Sequence, residues 1–174
     1  MGIINRARRS LDISSLETLY YSMVYPHLSY CIEVWGKAPS IFIDSLFGLQ
    51  KKATRIIKSA PYRTSTDPLF RELKLLKLSQ IYTHSILMLV FKFLRGLLPN
   101  IFHDFYARNS DICSRETRQN DLLHLPRCKT VLYQKSARFA GAKEWNSKAK
   151  FLNRQCSQQT FRRRLKQIIL DKNW

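Results

Sequence analysis

Chemistry on a protein chain needs a nucleophile beside a base, converging carboxylates, or a bound metal. The twelve carboxylates of this 174-residue chain are Asp12, Glu17, Glu33, Asp44, Asp67, Glu72, Asp104, Asp111, Glu116, Asp121, Glu144 and Asp171. They stand scattered, and no Asp-Asp or Asp-x-Asp pair is present to hold the two metal ions of a polymerase or nuclease. The signatures of a serine nucleophile elbow, a phosphate loop and a dinucleotide fold are missing too, and five glycines leave little material for one. A metal site would have to come from Cys113, His124 and Cys128. Structural zinc takes four ligands, usually in close pairs. Only His124 and Cys128 are close, and Cys113 lies eleven residues before His124. The spacing argues against zinc, so no metal and no other cofactor is expected. Cys31 and Cys156 add no C-x-x-C pair, which suits four reduced thiols. His84 falls among apolar residues at helical spacing, as a core or boundary histidine would. Catalysis by this chain alone is therefore not expected.

Charge is the strongest signal. Thirty Lys and Arg against twelve Asp and Glu give a net charge of +18, which attracts polyanions. Nucleic acid is the leading partner class and an anionic membrane surface the second. The hydrophobic fraction of 45% is enough for a core and argues against global disorder. The longest apolar run, Ile86 to Phe91, stops at Lys92, far short of the roughly 20 residues a spanning helix needs. The opening residues MGIINRARRSL are cationic and lack the apolar stretch of a secretory leader. These features lead us to expect a soluble or peripheral intracellular protein, nuclear or cytoplasmic, with no membrane span and no small-molecule substrate.

The elements that must position these cations are mostly helical. Ser14 and Glu17 have capping-box spacing, and Leu16, Leu19, Tyr20, Met23 and Val24 follow at helical intervals. Pro26 should break or kink that helix, because it has no N–H for the carbonyl of Ser22. Leu28 to Trp35 reads as its resumption. A second helix, from Ser40 to about Ser59, should bury Leu46, Leu49, Ala53, Ile56 and Ile57. Lys51, Arg55 and Lys58 share its opposite face, with Lys52 on the flank and no acid between Lys51 and Arg63. Surface helices usually mix signs. Two readings fit this stripe, an ordinary solvated cationic face or a contact with a phosphate backbone. Asp67-Pro68 marks a short helix to about Leu76, capped by Asp67. Ser79 to Arg95 is apolar around most of its circumference and reads as the central buried helix, ended by Gly96 and Pro99. Ile101 to Tyr106 adds an aromatic turn or two. Residues 108 to 156 are basic and irregular, with β-like pieces around Pro126 that suggest a small hairpin or extended clip. A final helix from Thr160 to Leu170 turns Phe161, Leu165, Ile168 and Ile169 inward and Arg162, Arg163, Arg164 and Lys166 outward.

Three stretches in order also carry a family resemblance. They are LETLYYSMVYPHLSYCIEVWG (Leu16 to Gly36), LFGLQKKATRIIKSAPYRTSTDPLFRELKLLKL (Leu46 to Leu78) and LHLPRCKTVLYQKSARFAGAKEWNS (Leu123 to Ser147). Together with the closing TFRRRLKQIIL (Thr160 to Leu170), they resemble the region downstream of the polymerase palm in reverse transcriptases of non-LTR, LINE-type retrotransposons of jockey-like lineages. The family pattern runs from a Tyr-rich helix ending in Trp-Gly, through an "LQKRAxRII" helix and "DPLF", to "LxLPRxRT", a Trp-Asn element and a basic terminal helix. The likeness covers nearly the whole chain. The family's [FY]-x-D-D catalytic motif, which lies in the palm, is absent, and Lys148-Ala149 replaces the family's Leu-Pro after Trp-Asn-Ser.

The resemblance implies a thumb and post-thumb region, excised, truncated or decayed from a larger polyprotein. Such a part would hold template RNA, the RNA–DNA hybrid or target DNA, and in the parent would pack on the palm. The fold expected is mainly α: a thumb-like helical bundle over residues 1 to 107, then a basic region over 108 to 174 with a small β-hairpin and a terminal helix. The expected phosphate contacts are Lys51, Lys52, Arg55, Lys58 and Arg63 in the first part. In the second they are Arg115, Arg118, Arg127, Lys129, Lys135 and Arg138, then Arg162, Arg163, Arg164 and Lys166. Pro26, Trp35, Trp145 and Asn146 are read as structural, with Trp145 anchoring an extended clip and Asn146 capping a turn. Alternatives are a decayed product with no selected activity, a small zinc-dependent nucleic-acid module on Cys113, His124 and Cys128, and last a basic peripheral membrane binder.

Overall fold

The structure is a computed structural model that describes residues 2–113, 118–148, 152 and 155–171. It is mainly helical. Packing divides the chain into two compact units, residues 1–82 and 83–174. That division falls inside a helix, whereas the change in sequence texture falls near residue 107. None of the helices among the described residues is long and apolar enough to cross a membrane.

In the first unit α1 (Gly2–Ala7) and α2 (Ile13–Met23) lead into two short helices, α3 (Tyr25–Ser29) and α4 (Ile32–Trp35). The expected capping box does not form. Asp12 stands at the N-cap, and Ser14 lies inside α2, where its carbonyl accepts the Thr18 hydroxyl at 3.1 Å. Pro26 acts as expected: α2 ends before it, and the proline sits in the first turn of α3, where its missing N–H costs nothing. Cys31 separates α3 from α4 in the left-handed region, at φ 48°. The indole N–H of Trp35 donates to the Tyr30 carbonyl at 2.7 Å and closes that bend.

Helix α5 (Ser40–Ile57) packs on α1, α2 and α6 (Asp67–Glu72). Its buried face is turned from the one the periodicity suggests. Leu49 is exposed and Leu46 only half-buried, while Gln50, Ala53, Thr54, Ile56 and Ile57 are buried. The reason is Gln50. Its amide nitrogen donates to the Tyr20 hydroxyl and the Leu76 carbonyl, both at 2.9 Å, and its amide oxygen accepts from the Leu78 N–H at 2.9 Å. A buried amide so satisfied ties α2, α5 and the linker after α6 together without an orphaned polar atom. Burial holds the Tyr20 phenol in its neutral form, raising its pKa to about 12. Ile4, Leu16, Tyr20, Phe70, Leu73 and Leu75 complete the core around α5. Helix α6 begins one residue earlier than an Asp67 cap would place it: Thr66 is the N-cap, and Asp67 pairs with Lys77 at 2.8 Å.

Helix α7 (Leu78–Leu94) is apolar on most sides, and Ile81, Ile86, Leu87, Val90 and Phe91 are all buried. Gly96, at φ 63°, ends it in the left-handed conformation that glycine adopts without strain. In the second unit a 3-10 turn (Asn100–Phe102) and α8 (Asn109–Ile112) follow, then α9 (Val131–Lys135), α10 (Ala137–Lys148) and α11 (Gln158–Leu170). Phe91 stacks on Phe161 with centroids 4.1 Å apart, and Trp145 lies 6.2 Å from the same ring. Gly141 lets α10 approach the aromatic turn closely, since a Cβ there would fall 2.2 Å from the Tyr106 hydroxyl oxygen.

The small hairpin does not form. Among the described residues the pairing is one isolated antiparallel bridge, Arg108 with Leu123. The physical reason is Asn146. Its side-chain oxygen accepts the Leu123 N–H at 3.0 Å and its nitrogen donates to the Leu123 carbonyl at 2.7 Å. The amide does for Leu123 what a neighbouring strand would do. Downstream, Thr130 caps α9 by accepting the Tyr133 N–H at 3.4 Å, so Val131 to Lys135 wind into a helix rather than a second strand. Asn146 and Trp145 therefore lie within α10, and Asn146 clamps extended backbone instead of capping a turn.

Candidate nucleic-acid interface

The expected cationic positions divide by what surrounds them. On α5, Lys52 is exposed, but its three neighbours in the stripe have internal partners. The Lys51 ammonium lies 4.2 Å from the Phe47 ring centroid. Arg55 Nε donates to the Thr64 carbonyl at 3.0 Å, and its guanidinium lies 5.6 Å from the Tyr62 ring centroid. Lys58 is paired with Glu72. This explains how α5 tolerates a run of like charge: Glu72, from outside the helix, offsets part of the repulsion. The stripe is thus not simply solvated. It is half-buried at Lys51, Arg55 and Lys58, and these side chains serve as contacts within the first unit.

The loop after α5 is held at several points. Ser59 adopts φ 50°, the Ala60 N–H donates to the Arg55 carbonyl at 2.9 Å, and the Thr64 N–H closes a turn on the Pro61 carbonyl at 3.1 Å. At its tip Tyr62 is 83% exposed and Arg63 is exposed beside it. Tyr62 is a residue that charge counting passes over. The signal was present: an aromatic between Pro61 and Arg63, in a segment with no apolar periodicity to place it in a core.

The second unit carries most of the charge. Residues 83–174 contain 18 Lys and Arg against 6 Asp and Glu, a net +12 of the chain's +18. Helix α11 concentrates it. Ser157 caps the helix by accepting the Thr160 N–H at 3.3 Å, and Phe161, Leu165 and Ile169 are buried along one side. That stripe fixes the rotation of the helix. Arg162, Arg163 and Arg164 are consequently all exposed, with Lys166 half-buried and no acid before Asp171. Ile168, expected inward, is only half-buried. At about 100° per residue, Arg163 points away from the buried stripe and Arg162 and Arg164 occupy opposite shoulders.

Arg118, Arg127, Lys129 and Lys135 are exposed. Arg138 is exposed too, but its guanidinium donates to the Asp104 carbonyl at 3.1 Å, which gives it a structural contact as well. Arg115 lies outside the described residues.

Among the described residues the acid–base groups do not assemble. His84 is buried, and burial lowers its pKa to about 4, against the smaller raising effect of a hydrogen bond with the Arg162 backbone. The charges of Arg162 and Lys166 push it further down, so the ring is neutral at physiological pH. A shallow groove lined by Phe93, Leu98, Pro99, Phe102 and His103 has one titratable lining residue, His103, whose ring lies 2.9 Å from Asp104. Among the described residues no three of His, Cys, Asp and Glu come together as a metal site would need. His124 approaches Asn109 at 3.3 Å, Cys113 is exposed and Cys128 is half-buried.

No protein-family model, curated protein or solved structure matches this chain.

Proposed function

We propose that this chain grips nucleic acid through its backbone phosphates and performs no reaction by itself. The observation that carries the proposal is α11, where three consecutive exposed arginines project from a helix whose opposite side is locked by Phe161, Leu165 and Ile169. Charge held at fixed positions on a packed helix is what phosphate contacts need, because such contacts set register without reading sequence. The net +12 of residues 83–174 supports the same reading. The resemblance to the thumb and post-thumb region of non-LTR retrotransposon reverse transcriptases suggests the ligand: template RNA, the RNA–DNA hybrid or target DNA, with the parent's palm as the protein partner. In that setting the palm would supply the carboxylate pair that this sequence lacks.

The test is binding of the purified chain to an RNA–DNA hybrid at graded salt. Several phosphate contacts should make affinity fall steeply as salt rises. A flat salt response, or no binding at about 50 mM salt, sinks the proposal.

A further inference from the structure

We propose that Tyr62 is a stacking platform for an unpaired base, so that the end of α5 and the loop after it take a single strand rather than a duplex. This rests on the reading that the chain binds nucleic acid, and goes beyond it in naming a residue and a strand state. An exposed tyrosine on a loosely held loop would mean little. This loop is held: the Pro61–Thr64 turn, the Arg55 bond to the Thr64 carbonyl at 3.0 Å and the left-handed Ser59 fix its path. The ring is nevertheless 83% exposed. The Arg55 guanidinium, 5.6 Å from the centroid, covers one side, which leaves the rest of the ring to solvent.

The charges around it suit a phosphate chain. Lys52 and Arg63 are exposed on either side in sequence, and Lys51 and Arg55, which have no carboxylate partner among the described residues, add to the local positive potential. Aromatic rings set among cations are how proteins hold single strands, since every base offers a face to stack on. A duplex keeps its base faces inside its own stack, so it can use the cations but not the ring. The ligand is therefore an unpaired nucleotide with its flanking phosphates, from RNA or from DNA.

The experiment compares the full chain with Tyr62→Ala and Tyr62→Phe, measuring affinity for single-stranded RNA, single-stranded DNA and a duplex of one sequence. Tyr62→Ala should weaken binding to at least one of the single strands by about tenfold, and the RNA and DNA arms show which. It should leave duplex binding and the thermal transition unchanged. Tyr62→Phe should keep single-strand affinity, because the ring does the stacking. Equal loss on duplex and single strands, no loss on either single strand, or a Phe variant as weak as Ala overturns the proposal. A wild-type chain that binds no nucleic acid overturns the broader reading as well; binding that ignores Tyr62 overturns this one alone.

Discussion

Replacing Arg162, Arg163 and Arg164 together with Gln should flatten the salt dependence of nucleic-acid binding while the fold stays in place. All three side chains are exposed on α11. Gln has nearly the helix propensity of Arg, and substitutions on exposed surface usually change stability by no more than about 0.5 kcal/mol each. At the few degrees per kcal/mol typical of a domain this long, Tm should shift by only a few degrees. The effect on binding should be far larger. On duplex, each phosphate contact contributes about 0.9 to the slope of log affinity against log salt, so three contacts contribute about 2.7. Over a fourfold rise, from about 50 to about 200 mM, the wild type should lose about 40-fold more affinity than the variant. On a single strand, where each contact releases fewer counterions, the difference shrinks to about 20-fold. Fluorescence anisotropy with a labelled RNA–DNA hybrid at four or more salt concentrations measures both slopes, and a thermal melt run alongside shows whether the variant is folded. Parallel slopes with an intact melt refute the assignment of phosphate contacts to α11.

Three further outcomes follow from the packing. Asn146→Ala removes both hydrogen bonds to the Leu123 backbone and should cost about 1–3 kcal/mol in denaturant unfolding, with faster amide exchange at Leu123; a stability equal to wild type contradicts the clamp. Gly141→Ala places a Cβ 2.2 Å from the Tyr106 hydroxyl oxygen and should destabilise by about 1–3 kcal/mol, part of which Tyr106→Phe should restore in the double variant; additive losses in that cycle would show that the two sites do not meet. His84 holds its proton less well folded, at a pKa of about 4, than at its ordinary 6.5, so between those values only the unfolded chain gains the proton. Stability should therefore fall by about 3 kcal/mol as pH drops through that window, and His84→Gln should abolish that step in urea titrations at stepped pH.

The helices that could be read in advance are those whose apolar residues repeat without competition. Phe161, Leu165 and Ile169 lie four residues apart, and all three are buried where the repeat puts them. In α7 the apolar residues are so many that burial on most sides was the only consistent outcome. Helix α5 shows where this fails. Periodicity ranks residues by apolar character, so it favours Leu49 over Gln50. The structure reverses that order because the Gln50 amide finds the Tyr20 hydroxyl and two backbone partners across the core. Those partners are 30, 26 and 28 residues away in sequence, and no local pattern contains them. The hairpin failed for the same reason. The segment around Pro126 has residues able to form a strand, but the group that satisfies Leu123 comes from Asn146, 23 residues on. Local composition shows that a backbone will be extended, not what will lie beside it.

The cations make the same distinction at the level of function. In the sequence, Lys51, Arg55 and Lys58 and the run Arg162-Arg163-Arg164 look alike: basic residues on the polar side of an amphipathic helix. In the fold they differ in kind. The first three have a ring, a carbonyl and a carboxylate as partners, so their geometry is set from within the first unit. A phosphate approaching Lys58 must compete with Glu72, which weakens the net attraction there. The arginines of α11 are exposed beside buried neighbours in a helix that contains no carboxylate. Among the described residues, a phosphate approaching them meets no carboxylate rival. This is why the salt slope should respond to α11 more than to a matching set of substitutions on α5. Charge reversal at Lys58 should also cost stability through Glu72, an effect that reversal at Arg163 should not have. A count of positive residues cannot separate these cases; whether a charge already has a partner in its own chain can.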